Sequence, residues 1–188
     1  MISGIVLAAG TGSRFGGTKQ LVILDGKPLA QHAVDALAAA GMDEILVVTG
    51  HDAVKVASAV DLPDGGRVVH NPRFREGQSS SLAVGLHATD DESEAAVVLM
   101  ADQPGVDPGV VRSLVDRFVE RRSRIVRASY RDGPGPALLS REIYADAQHL
   151  RGDVGARELI ASHPDWVDEV HVDALAPRDV DLPGDLPP

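Results

Sequence analysis

The 188-residue chain carries 18 Lys and Arg against 28 Asp and Glu, a formal net charge of −10, with 44% apolar residues and no Cys. This composition is that of one globular domain over residues 1–188 with a core of its own, and it excludes disulfides, thiolate catalysis and Cys-ligated metal centres. The acidic balance and the 3% aromatic content argue against nucleic acid as a partner, whether held through phosphates or by base stacking.

Ile5–Ala8 opens the chain as a short apolar run and leads directly into glycines. No basic leader precedes it, and no stretch approaches the roughly 20 apolar residues that cross a bilayer. A cytoplasmic protein without membrane contact is therefore expected. Pro28–Ala40 predicts a helix, with Pro in the first turn and Gly41 just past its end. Ile45–Val48, Val68–His70, Ala96–Met100 and Ile125–Ala128 read as further strands, and Leu82–Ala88 as a helix with a Ser run at its entry. Asp107-Pro108 has the pattern of an N-cap with Pro at the first helical position, opening a helix through Arg122. Ser140 is placed to cap a helix from Arg141 to Leu150. Ala156–His163 predicts one more helix, stopped before Pro164. Val167–Val172 alternates apolar and acidic residues like an exposed edge strand, and from Ala176 to Pro188 the chain turns Pro- and Asp-rich like a loosely held tail. Apolar strands separated by helices predict an α/β sheet covered on both faces.

The chemistry concentrates in Leu7-Ala8-Ala9-Gly10-Thr11-Gly12-Ser13-Arg14-Phe15-Gly16-Gly17-Thr18-Lys19, directly after the first strand, where open α/β sheets place their ligand loops. Glycines let backbone N–H groups approach an anion closely, and Arg14 and Lys19 add two cations to the same loop. Three readings compete. A plain surface turn leaves four glycines and two cations unexplained. A dinucleotide turn requires an acidic residue at the end of the second strand, about 20 residues beyond the glycines, but that strand ends much later, at Val48-Thr49-Gly50-His51. A nucleoside triphosphate loop outside the Walker type fits best. Asp102, just beyond the Ala96–Met100 strand, suits either a turn cap or a magnesium ligand.

Leu7-Ala8-Ala9-Gly10-x-Gly12-x-Arg14-x-Gly16-x-x-Lys19 resembles the signature of the MobA-like NTP transferases. The continuation to Gln20-Leu21 is most similar to the molybdenum cofactor cytidylyltransferase branch. So are Asn71-Pro72, Gly77-Gln78-Ser79-Ser80-Ser81-Leu82, Leu99-Met100-Ala101-Asp102-Gln103-Pro104, Gly152-Asp153-x-Gly155-Ala156-Arg157 and Asp179-Val180-Asp181-Leu182-Pro183-Gly184-Asp185-Leu186. Two motifs depart from the branch. Gly135-Pro136-Ala137-Leu138-Leu139 lacks its usual His, and Leu182 and Gly184 replace Thr and Glu.

The resemblance implies a three-layer α/β/α, Rossmann-like nucleotidyltransferase fold on a mostly parallel mixed sheet. It implies CTP or another NTP as donor, Mg²⁺ as cofactor, a phosphorylated acceptor such as molybdopterin, and a client molybdoenzyme as a further partner. Arg14, Lys19 and Asp102 would be catalytic. Leu7, Ala8, Ala9, Gly10, Gly12, Gly77, Gln78, Ser79 and Ser80 would join Arg14 and Lys19 around the nucleotide. Asp153 and Arg157 would face the acceptor, and Asp181 would join Asp102 on the metal. A guanylyltransferase, a nicotinamide-dependent oxidoreductase on the same fold and a silent molybdopterin chaperone are the alternatives.

Overall fold

Every residue of β1 (Ile2–Ala8) is buried, because the strand lies inside the sheet with a parallel neighbour on each side. Those neighbours are β4 (Glu44–Thr49) and β6 (Ala95–Met100). Between β1 and β4 run a two-residue hairpin, β2 (Ile23–Leu24) and β3 (Lys27–Pro28), and then α1 (Leu29–Ala40). The computed structural model describes residues 1–12 and 15–185. The remaining elements are α2 (Ala53–Ala59), β5 (Gly66–His70), α3 (Gln78–Ala88), α4 (Pro108–Arg121), β7 (Ile125–Tyr130), β8 (Gly133–Ser140), α5 (Tyr144–Ala147), α6 (Gly155–Ser162) and β9 (Val167–Val172).

The seven-stranded sheet has the order β5-β4-β1-β6-β8-β7-β9. Only β8 runs antiparallel to its neighbours, so the sheet is mixed but mostly parallel. Successive residues of β1 feed opposite layers, as a period of two requires. Val6 and Ala8 pack with Val34, Leu37, Val111 and Leu114 of α1 and α4. Ile5 and Leu7 pack with Leu82 and Leu86 of α3 and Leu159 of α6. The architecture is the three-layer α/β/α sandwich the sequence implies.

Local chemistry accounts for most boundaries. Gly41 ends α1 in the left-handed conformation, its N–H on the carbonyls of Ala38 and Leu37. Asp107 caps α4 by accepting from Gly109 N at 2.6 Å. The β2–β3 turn takes Asp25 and Gly26 at φ 49° and 78°, as a two-residue hairpin demands.

Several expectations are corrected. β8 runs through Gly-Pro-Gly-Pro, which reads as a breaker in the sequence. The prolines stand at the strand's start, and the ladder shifts register between Arg127 and Ser129 to accept them. The predicted helix from Arg141 to Leu150 is instead a 3-10 turn, Arg141–Ile143, followed by the four-residue α5. α3 begins at Gln78 and not Leu82, so the serines lie inside its first turn and Gly77 is the N-cap. α2 was also missed. Within the segment expected to hang loosely, Val180 is buried, its N–H on the Asp102 carbonyl at 2.9 Å. Among the described residues, no helix is long and apolar enough to cross a membrane.

Candidate active site

Chain order reverses at β1, whose next parallel strand in sequence lies on one side, at β4, while β6 lies on the other. Carboxyl ends of strands at such a switch point leave a crevice for ligands. Ala101 N–H extends the pairing by donating to Leu7 O at 3.1 Å, so Asp102 emerges beside Ala8 and Ala9. On the other side His51 N–H donates to Ala9 O at 3.3 Å.

The glycine loop leaves β1 here. Gly12 has φ +58°, and a Cβ on it would lie 2.0 Å from the Gly17 carbonyl oxygen, so a side chain is excluded by both conformation and space. The amides of Phe15 and Gly16 both donate to Gly12 O, at 2.9 and 3.1 Å. Gln20, which the sequence motif contains but to which no role was given, is buried, and its Nε2 donates to Gly10 O at 3.0 Å. Because C=O and N–H of a trans peptide point in opposite directions, this bond turns Thr11 N–H away from Gln20. The Gln20 Oε1 is buried without a partner among the described residues. Thr18 Oγ1 donates to Asp52 Oδ2 at 2.5 Å, tying the loop's far end to the segment after β4. The Thr18 hydroxyl, then Lys55, hold the Asp52 carboxyl below the usual range.

Lys19 closes the loop. Its Nζ lies 2.5 Å from Asp102 Oδ2 and 2.9 Å from Asp181 Oδ1, with its side chain only 13% exposed. Burial works against the ammonium, but the hydrogen bonds it donates to Asp102 and Asp181, together with their charges, outweigh it, so the pKa is raised and Lys19 is ionised at neutral pH. Asp181 reaches this point because Val180 is pinned to Asp102. Gln103 Nε2 also donates to Asp179 Oδ1 at 2.6 Å.

A second wall forms at the amino end of α3. Gly77 has φ +103°, and a Cβ there would sit 2.3 Å from the Gly152 carbonyl carbon. Ser79 N–H donates to Gly152 O at 3.0 Å, and Gln78 N–H to Asp153 Oδ1 at 3.2 Å. The Gln78 amide reaches Met100 Sδ at the end of β6, 2.7 Å away. Ser80 Oγ accepts from Asn71 Nδ2 at 2.9 Å and lies 3.0 and 2.8 Å from the carbonyls of Arg73 and Gly77, which share its proton. Its hydroxyl is thus engaged in holding the α3 entry to the end of β5. Ser79 is buried beside it. The Asp153 carboxylate thus meets the first amide of α3 from across the wall, while Arg157 is exposed on α6 and makes no ion pair among the described residues.

Lys19, Asp102 and Asp181 therefore meet at one point, and Leu7 to Gly12, Gly77 and Gln78 border the same strand ends. Arg14 lies outside the described residues. The MobA-like NTP transferase domain model matches residues 4–167. The chain belongs to that family.

As a MobA-like protein it is similar to Rv0371c from Mycobacterium tuberculosis, at 33% identity and a TM-score of 0.85, covering 98% of this chain and 94% of that one. The structure of Rv0371c complexed with manganese matches at 32% identity and a TM-score of 0.82, over 98% and 95%. A nucleotidyl transferase from Methanothermobacter matches at 25% identity and a TM-score of 0.77, over 98% of this chain and 94% of that one. The bifunctional protein GlmU of Sorangium cellulosum is 30% identical over 151 residues, 75% of this chain. The chain spans about a third of the length of that curated relative, since 32% of it is covered.

The donor set fits a divalent cation of the magnesium type. Two carboxylates already converge on one positive charge. No group of three or more His, Cys, Asp or Glu suited to a metal occurs among the described residues. Magnesium is commonly held by one or two carboxylates, with waters and substrate phosphates completing the shell. Sequence reasoning gave no role to Gln20, Thr18 or Asp52 in this MobA-like site. The available signals were Gln20 directly after the loop lysine and Asp52 directly after the second strand.

Proposed function

We propose that this chain is a metal-dependent nucleotidyltransferase that moves CMP from CTP to a phosphorylated acceptor of the molybdopterin kind and releases pyrophosphate. The observation that carries the reading is the meeting of Lys19, Asp102 and Asp181 at the mouth of the glycine loop. A divalent cation held by the two carboxylates, with Mg²⁺ the natural choice, would supply neutralisation of the triphosphate and polarisation of its phosphoryl oxygens. The structure of Rv0371c complexed with manganese supports a divalent ion in this reading.

An oxygen of the acceptor's terminal phosphate attacks the α-phosphorus, and the bond to the β-phosphate breaks with its electron pair leaving on pyrophosphate. A phosphate is already a competent nucleophile, so no activated side chain is required and catalysis is positioning and electrostatics. The Lys19 ammonium, with Arg14 from the same loop, balances the charge that grows on the leaving pyrophosphate. The loop amides beyond Gly10 hold the phosphates, with the Gly10 peptide fixed by Gln20. Gln78 and Ser79 border the base, while Ser80 shapes that wall from behind. Arg157 is free to meet an anionic acceptor, whereas Asp153 serves by fixing the wall. Cytosine and molybdopterin rest on the resemblance of the Arg14–Leu21 and Gly77–Leu82 segments to the cytidylyltransferase branch, and a client molybdoenzyme would receive the product in the cytoplasm.

Thermal shift with CTP, GTP, ATP and NADPH, each with and without Mg²⁺, tests the reading. CTP with Mg²⁺ is expected to raise Tm most, and more than either alone. The largest shift with GTP would move the donor to guanine, and a response to NADPH alone would overturn nucleotidyl transfer.

A further inference from the structure

We propose that in the free enzyme the Lys19 ammonium holds the cation position, so that the metal enters as the chelate of the nucleotide and Lys19 passes from the carboxylates to phosphate in the same step. The inference rests on the nucleotidyltransferase reading and specifies its substrate, the metal–nucleotide complex and not metal and nucleotide in turn.

Lys19 Nζ is 2.5 Å from Asp102 and 2.9 Å from Asp181, the same two carboxylates that fit the metal. An ammonium and a divalent cation on one pair of carboxylates repel at close range. A bare cation therefore competes with Lys19, and in winning both carboxylates it displaces the ammonium. That would strand a mostly buried ammonium with no anion, which is costly. A triphosphate arriving with its metal removes the difficulty, because it offers Lys19 a new anion as the metal takes the old ones.

The backbone favours exchange by the side chain alone. Lys19 opens a 3-10 turn, Lys19–Leu21, closed by Leu21 N–H on Thr18 O at 3.0 Å and Val22 N–H on Lys19 O at 3.1 Å. Thr18 is tied to Asp52 on one side of the lysine and Gln20 to Gly10 on the other. The four-carbon stem of lysine can swing its charge between partners without moving these anchors.

Metal and nucleotide affinities are then coupled, and reciprocally. Titration of Mn²⁺ against the full-length protein, read from the electron paramagnetic resonance signal of the free ion, tests this without turnover. After subtraction of the Mn²⁺ that CTP chelates in protein-free solution, the wild type is expected to bind Mn²⁺ weakly alone and about 10- to 100-fold more tightly with CTP present, within the range of ordinary allosteric coupling. Lys19→Met is expected to bind Mn²⁺ alone about tenfold more tightly than the wild type, with a smaller gain from CTP; Lys19→Arg, which keeps the charge, should stay weak. Equal wild-type affinity with and without CTP overturns the exchange, and so does a folded Lys19→Met no tighter than the wild type. If Mn²⁺ and CTP bind together but no acceptor yields pyrophosphate, the catalytic reading fails and the exchange stands.

Discussion

Lys19→Ala is expected to lower the turnover of pyrophosphate release by about 10²–10³, the size typical of removing one preorganised electrostatic donor. The loss should fall mainly on kcat, because the charge Lys19 meets is greatest on the departing pyrophosphate. A decrease under threefold would remove Lys19 from the chemistry. The same residue links the site to pH. Its folded pKa is raised above the ordinary 10.5, so the stability it contributes is complete below that value and is lost as pH climbs through the raised one. Alkaline unfolding above pH 10.5 should therefore include a component that Lys19→Met lacks, and urea midpoints at pH 8 and 11 would reveal it.

Gly12→Ala is expected to lower activity on the order of 10²-fold while the fold persists. The position has φ +58°, and the new Cβ would meet the Gly17 carbonyl oxygen at 2.0 Å. A non-glycine residue in strained backbone costs about 1–3 kcal/mol, which a domain of this size ordinarily survives. The loop cannot relieve the contact without shifting, and a misplacement near 1 Å costs about 10²-fold when catalysis is positioning. Gly16→Ala is the control. Its φ is +82°, but no described residue lies within 4 Å of the added methyl, so it should retain most activity. Steady-state pyrophosphate release and urea unfolding on both variants separate catalytic from structural loss. Equal losses in the two would mean that backbone conformation alone, and not the approach of Gly12 to Gly17, shapes the loop.

The sheet's centre was readable because its strands are buried on both faces, which leaves continuous apolar runs such as Ile45–Val48 and Ala96–Met100. Helix ends with local chemistry were equally plain, at Gly41 and at Asp107-Pro108. β8 was hidden because its first four residues are Gly-Pro-Gly-Pro and its antiparallel pairing is a tertiary fact. The same limit governs the site. The glycine loop is contiguous and announces itself, whereas Lys19 and Asp181 lie 162 positions apart. Nothing in an acidic, Pro-rich terminus says that Val180 will be buried against Asp102. Only the resemblance to a family pointed to Asp181. The Ser79-Ser80-Ser81 run looked like capping residues, but Gly77 occupies the cap, and Asn71 binds the hydroxyls of Ser80 and Ser81.

The central claim is that the turn after β1 binds a triphosphate together with a metal at Asp102 and Asp181. A crystal structure of the protein grown with CTP and Mg²⁺ tests it most directly. The account predicts phosphates against the amides beyond Gly10, Lys19 on phosphate oxygen, and density for the cation between the two aspartates. A nucleotide bound elsewhere, with the Lys19–Asp102 pair unbroken, would contradict it.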